Sequence, residues 1–285
     1  MPVVKDGMPV GLINRHSMVD RFARPYRREL YGRRACSHFM DTSPLIVDHA
    51  ISVQELGRLI SRSARHHMTD GFIVTEGGRY AGIGLSHDLM ALITEMQIRA
   101  ARYANPLTQL PGNVPIDEHI ARLLEGGVRF AAAYCDLDRF KPFNDVYGYR
   151  QGDDMIRLLA ETLLHHCDGT LDFVGHIGGD DFLVLFQSAD WRARCERVIG
   201  HFEDHSRHLF SDEDLARGGI LTEDRRGQRV LHALPSLSIG VVPAEPGSFH
   251  SHHEISTAAA EAKKQAKKLP GSTLFVERRQ PEGGV

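Results

Sequence analysis

The sequence predicts an α/β protein built in two parts: an N-terminal pair of small α/β modules and a larger α/β sandwich with a central mixed sheet flanked by helices. Three observations carry this expectation. Pro2 to Phe22 (PVVKDGMPVGLINRHSMVDRF) and Phe72 to Ile93 (FIVTEGGRYAGIGLSHDLMALI) share one plan of apolar strand, acidic-glycine turn, second strand and helix, an internal repeat. Beyond Asn105, strands alternate with helix-length segments, the pattern of crossovers packed on a sheet. Acidic residues then gather at one strand end and one hairpin tip.

Bulk properties bound the rest. A chain of 285 residues is long enough for two modest cores. Apolar content of 42%, charged content of 25% and a net charge of −3 describe an ordinary globular composition and argue against binding nucleic acid through its phosphates. The sequence holds no apolar run of membrane-spanning length and opens without a signal-peptide pattern, so a cytoplasmic location is expected. The 4 cysteines, without a C-x-x-C pair, read as reduced and buried thiols. Of the 17 histidines, the adjacent pairs His66-His67, His165-His166 and His252-His253 place neighbours on different faces of a helix or strand, which argues against zinc.

In the first part, Asp6-Gly7 and Glu76-Gly77 are hairpin turn signals. Between the repeats lie a short strand and a helix with apolar residues at Val53, Leu56, Leu59 and Ile60, capped by Ser52 with Glu55 three residues on. Leu89, Leu92, Ile93, Met96, Ala100 and Tyr103 then follow helical spacing into Asn105-Pro106, where proline disfavours helix in the residue before it. The expected divisions are residues 1–95, a connector helix over 96–104, and 105–285.

The second part reads as a helix from about Pro115 to Glu125, a strand from Val128 to Asp136, and a loop carrying Lys141 and Asn144. A helix from about Gly152 to Cys167 follows, then a hairpin with arms Asp172 to Ile177 and Asp181 to Phe186, and a helix from Trp191 to Phe210. A turn-rich stretch comes next, and the chain closes with a strand (Pro235 to Val242), a helix (Ile255 to Lys268) and a strand (Thr273 to Glu277).

The chemistry lies in the carboxylates. Asp136 and Asp138 end a strand and share one face, at the end where α/β sheets bind ligands. Gly178-Gly179 permits a tight turn and bare-backbone approach, and Asp180 and Asp181 follow at once. If the hairpin lies beside the first strand, three or four carboxylates converge and require a cation. Oxygen-only ligands suit Mg²⁺ or Mn²⁺ with substrate phosphates completing the shell.

Two resemblances follow from these motifs. The strand-helix-strand-strand-helix plan resembles a pair of cystathionine-β-synthase-type (CBS) modules, complete over about Asp41 to Glu95. The first copy lacks its opening strand and helix. At the family's two ribose and phosphate positions stand Leu85 and Asp88 in the second copy, and Asn14 and Ser17 in the first, which points to a dimerising structural module rather than an adenine-nucleotide sensor. NPLTQLPGN, DLDRFKPFND, GYRQGDD, GGDDF and SLSIGVV, in that order, resemble the GGDEF domain of diguanylate cyclases over about Asn105 to Glu277. The combination is most similar to proteins with an EAL-type phosphodiesterase domain upstream, so an EAL-type domain or another signalling partner is expected.

The GGDEF resemblance implies a cyclic di-GMP signalling protein that binds GTP with Mg²⁺ or Mn²⁺. Metal would be held by Asp136, Asp180, Asp181 and the Leu137 carbonyl, with Asp180 and Asp181 in the catalytic role. Guanine would meet Asn144 and Asp153. Phosphates would meet the backbone around Phe140 and Lys141, the Gly178-Gly179 turn, and Lys263 or Lys267. Two such domains in a homodimer would join two GTP into cyclic di-GMP and pyrophosphate. The departures are specific. Asp181 replaces the family's Glu, shortening the reach by about 1.5 Å against a metal-site tolerance of about 0.2 Å. His176 stands for a frequent Arg, Tyr149 for a His, and Gly169 for the Arg of the R-x-x-D product-inhibition motif that ends at Asp172. The late A-K-x-x-G-R pattern fits AEAKKQAKKLPGS in two registers, one with Lys263 and Lys267, the other with Lys267 and Ser272, and Lys lacks Arg's bidentate grip. A degenerate, regulatory GTP-binding domain and an active cyclase are therefore both open.

Overall fold

The computed structural model describes residues 1–62, 71–223 and 227–277. It divides into two compact units, Met1–Arg99 and Ala100–Val285.

In the first unit, strands β1 (Pro2–Lys5) and β2 (Met8–Leu12) form an antiparallel hairpin followed by helices α1 (Arg15–Ala23) and α2 (Arg27–Tyr31). A second, three-stranded sheet has the order β3-β4-β5, from β3 (Ile46–Asp48), β4 (Phe72–Glu76) and β5 (Arg79–Gly84), with β3 and β4 parallel. The intervening helix α3 (Val53–Arg62) is capped as its sequence suggests, since the Glu55 amide donates to Ser52 Oγ at 3.2 Å. Val47, Leu56, Ile60, Phe72 and Leu89 close a small core. The β1–β2 turn is Asp6-Gly7, both with positive φ, whereas the β4–β5 turn falls one residue later than expected, at Gly77-Gly78. Helix α4 runs unbroken over Ser86–Tyr103, and of the connector stripe only Leu89 is buried.

The second unit adds helices α5 (Asn113–Glu125), α6 (Phe140–Tyr147), α7 (Tyr149–His166), α8 (Trp191–Ser206), α9 (Asp212–Arg217) and α10 (His252–Ala266). Its strands are β6 (Phe130–Asp138), β7 (Phe173–Gly178), β8 (Asp181–Phe186), β9 (Gly219–Glu223), β10 (Arg229–Ala233), β11 (Ser236–Ala244) and β12 (Thr273–Val276). Five of them form one mixed sheet in the order β12-β11-β6-β8-β7, antiparallel except for β11 with β12. Central β6 has helices on both sides, so it reads as small apolar residues throughout (FAAAYC) rather than alternating. Ala131, Ala133, Cys135 and Leu137 face a core with Phe143 of α6, Met155, Leu159 and Leu163 of α7, and Val198 and Phe202 of α8. Phe130 and Ala132 face the other way, toward Ile116 and Ile120 of α5 and Ile255, Ala259 and Ala262 of α10.

Three expectations need correction. The segment after β6, read as a loop, is helix α6, entered through Arg139 at φ 58° and tied down where the Tyr147 hydroxyl donates to Asp214. That tie spans 67 residues in sequence, so no local pattern announces it. The turn-rich stretch holds α9 and the β9–β10 hairpin, a separate two-stranded sheet. Cys36 is exposed, although Cys135 and Cys195 are buried and all four thiols are free. No helix among the described residues is long and apolar enough to cross a membrane.

Phe202, fully buried between α8 and the sheet, should be among the residues the unit can least lose. Phe202→Ala is expected to cost about 3–5 kcal/mol by denaturant titration, with an unchanged far-UV spectrum in the folded baseline.

Candidate functional site

The carboxyl end of β6 meets the β7–β8 turn because β8 pairs antiparallel with β6 as far as Cys135 opposite Phe182, which puts Asp136 and Asp181 at the next step. Asp136 is 4% exposed, so its charge requires a partner. That partner comes from α10: Lys263 Nζ lies 3.0 Å from Asp136 Oδ2 and 2.8 Å from Asp181 Oδ1. Lys267, one turn on, reaches Asp136 Oδ1. Lys263 also sits 4.1 Å from the centroid of the Tyr134 ring. The helix comes this close because β11 has Gly240 beneath it, where a Cβ would stand 2.2 Å from the Lys263 backbone nitrogen.

Electrostatics follow from this packing. Burial, then the neighbouring Asp181, push Asp136 up to about 6 despite the two lysines. Burial likewise raises Asp180. Burial alone would lower the Lys263 ammonium, but hydrogen bonds to Asp181 and Asp136 outweigh it and hold the group above its ordinary value. Two carboxylates sharing one half-buried cation, with a third raised beside them, make a hard-oxygen set that fits a divalent ion with phosphate. Asp138 is not one of the convergent groups: its Oδ2 accepts from Ser236 Oγ (3.1 Å) and Ser238 Oγ (2.6 Å). The Leu137 side chain is buried in the core.

The second half of the site lies at the α6–α7 corner. Asn144 Oδ1 is buried with no hydrogen-bond partner, an acceptor that costs stability unless a ligand supplies a donor. Gly152 makes room for it, since a Cβ there would lie 1.9 Å from that oxygen. Asp153 follows on the first turns of α7, part-exposed. Phe140 and exposed Lys141 begin α6, where backbone amides point out of the helix start.

The turn itself is braced by a residue that sequence reasoning treated only as a substitution. His176 is 1% exposed and stacks on Phe182 at 4.1 Å and 12°. Its Nε2 lies 3.0 Å from the Gly179 carbonyl and its Nδ1 2.9 Å from Thr108 Oγ1. The carbonyl can only accept, so Nε2 carries the proton and Thr108 donates to Nδ1. Thr108 is delivered by the NPLTQLPGN loop, which the Asn105 side chain folds by accepting from the amides of Leu107 and Thr108. Gly178 (φ 152°) and Gly179 (φ 60°) then turn the chain with open space around both.

Other sequence-marked residues prove structural. Asp172 accepts from the amides of Asp168, Gln187 and Ser188 and from Ser188 Oγ, which uses its acceptor capacity within the fold. Ser272 Oγ accepts from the Leu237 amide. Tyr149 is 80% exposed. The argument from adjacent histidines fails at one pair, because His165 and His166 both reach His201 on α8, their ligand atoms all within 4.8 Å of one another. His66-His67 lies outside the described residues.

Residues 103–216 match the family model for the diguanylate cyclase GGDEF domain. This segment is thus similar to a GGDEF domain. The chain is 31% identical over 168 residues to the bifunctional diguanylate cyclase/cyclic di-GMP phosphodiesterase MucR of Pseudomonas aeruginosa, covering 56% of this chain and 21% of that protein. It is 26% identical over 181 residues to the diguanylate cyclase DgcP of Escherichia coli, covering 60% of this chain and 47% of that one. The chain therefore spans about a fifth to about half the length of these curated relatives. The crystal structure of diguanylate cyclase SiaD from Pseudomonas aeruginosa, in complex with its activator SiaC, shares the fold with a TM-score of 0.50 at 23% identity, over 67% of this chain and 68% of that one.

Burial lowers His176 below the ordinary imidazole range, which the nearby Asp181 and Asp180 oppose. A group depressed in the folded state binds fewer protons folded than unfolded, so its contribution is present above about pH 6.5 and lost as pH falls through the lowered value. His176→Gln should flatten that part of the stability curve between about pH 7 and 5 in thermal melts. A difference between variant and wild type that does not change with pH would contradict the brace.

Proposed function

We propose that the chain is a cyclic di-GMP signalling protein whose GGDEF unit binds GTP with Mg²⁺ or Mn²⁺. The observation that carries this is the buried, partnerless Asn144 Oδ1 held open by Gly152, on the same unit as the Asp136–Asp181 pair. An acceptor there suits the guanine amino and ring N–H, and Asp153 supplies further acceptors from α7. Asp136, Asp180, Asp181 and the Leu137 carbonyl hold the metal, which when bound polarises the attacking oxygen and stabilises the leaving pyrophosphate. Amides around Phe140 and Lys141 and the Gly178-Gly179 turn take the phosphates. Lys263 and Lys267 hold the carboxylates together and would turn to the triphosphate where a divalent ion takes their place.

In this reading the variant signature serves regulation through nucleotide occupancy. A specific observation favours turnover as the second reading: the shorter Asp181 reaches the same cation as Asp136, at 2.8 and 3.0 Å. An active domain holds one GTP, so two chains are needed. Each 3′-hydroxyl attacks the other nucleotide's α-phosphate, one P–O bond forms as another breaks, and two pyrophosphates leave. The first unit, read as CBS-like modules, acts as the dimerising part of a cytoplasmic protein, in partnership with an EAL-type domain or another signalling protein. Leu85 at the hydroxyl position is 51% exposed, which suits that role better than nucleotide sensing.

Calorimetry with Mg²⁺ should show GTP binding at least about tenfold tighter than ATP, and Asp153→Ala should abolish that preference, because it leaves guanine N–H groups unpaired. Equal affinities in the wild type would refute the guanine assignment.

Chromatography of the products after incubation with GTP separates the two readings. If reach limits chemistry, Asp181→Glu raises cyclic di-GMP output several-fold with nearly unchanged GTP affinity, whereas Asp180→Ala loses metal and product together. A brisk wild-type enzyme indifferent to Asp181→Glu would overturn the degenerate-site reading.

A further inference from the structure

At the far end of α7 from Asp153, histidines from two helices crowd together. His165 and His166 occupy the last turn of α7, and His201 and His205 lie one turn apart on α8. His166 Nε2 is 3.0 Å from His201 Nδ1, and one nitrogen each from His165, His166 and His201 all lie within 4.8 Å of one another. The rings of His201 and His205 stack at 4.0 Å. From the structure we infer a second metal site here, with His165, His166 and His201 as ligands for an imidazole-preferring transition ion such as Zn²⁺. It lies about 18 Å along α7 from Asp153 at 1.5 Å per residue, and nothing in the GGDEF chemistry uses it.

The geometry suits the ion. Tetrahedral bonds of about 2.0–2.1 Å place neighbouring nitrogens about 3.3 Å apart, within a few tenths of the His166–His201 separation. At present those two nitrogens share one proton. A neutral ring frees its nitrogen by moving that proton to the other ring nitrogen, so ligation needs a tautomer change rather than a net loss. The helix carbonyl end adds partial negative charge beneath His165 and His166. The opposing charges are Arg194, which donates to the His166 carbonyl, and Arg197, and both are paired with Asp190 at 2.7 and 3.3 Å. The carboxylate site prefers hard ions, whereas three imidazoles and no carboxylate select softer ones, so the two sites discriminate by ligand chemistry. An ion here staples α7 to α8.

The full chain, stripped with a chelator and held in excess Mg²⁺, is titrated with Zn²⁺ against a chromophoric competitor. One tight Zn²⁺ per chain is expected. His166→Ala and His201→Ala should each weaken it by at least about tenfold, since even an outer-shell partner costs that much. His208→Ala and Asp180→Ala should leave it unchanged. Should an alanine variant fold poorly by circular dichroism, His201→Gln serves in its place. Absence of stoichiometric Zn²⁺ in the wild type, retention of wild-type affinity in the folded variants, or an equal loss in His208→Ala would each overturn the site.

Discussion

The second unit is organised around a buried charge that must be neutralised. Asp136 ends the central strand with almost no solvent, and Asp181 lies beside it across the β6–β8 ladder. Two carboxylates so placed repel, and burial makes each ion costlier still. Lys263 resolves both problems by sitting within 3.0 Å of one and 2.8 Å of the other, with Lys267 on the remaining face of Asp136. Removing one member of such a cluster typically costs about 3–5 kcal/mol, because a charge is left uncompensated.

That arrangement depends on close approach. Gly240 lets the backbone of α10 lie on β11, and without it the ammonium would stand farther from the strand end. Gly152 performs the equivalent service at the α6–α7 corner, where Asn144 fills the space a side chain would occupy. His176 locks the turn from below, taking a hydrogen bond from Thr108 and giving one to Gly179. The opening loop, the Gly-Gly hairpin and the α6–α7 corner are thereby fixed by the protein's own packing, which is what preorganisation requires.

Two features sit apart from this economy. Asp172, the residue left of the broken R-x-x-D pattern, is a structural hub that accepts three amides and a hydroxyl. The histidine cluster between α7 and α8 is built from residues that local reasoning set on different faces. At the last turn of a helix both neighbours can bend toward an adjacent helix, so facial geometry on an isolated cylinder misleads there.

By itself the sequence determined the elements with strong periodicity and the residues with unambiguous chemistry. The central strand, the hairpin arms, helices α5, α7, α8 and α10, the Ser52 cap and the acidic signature were all legible, because each rests on local pattern or turn chemistry. It did not disclose α6, α9 or the β9–β10 hairpin. These short elements are held by long-range contacts such as Tyr147 to Asp214, and their isolated stability is too small to leave a pattern. Nor could spacing choose between registers of the late lysines. Only the tertiary structure decided that Lys263 and Lys267, four residues apart on one helical face, both meet Asp136, while Ser272 is spent on the Leu237 amide. Partners 82 and more residues away are selected by packing and charge, and neither is encoded in the neighbourhood of any one residue.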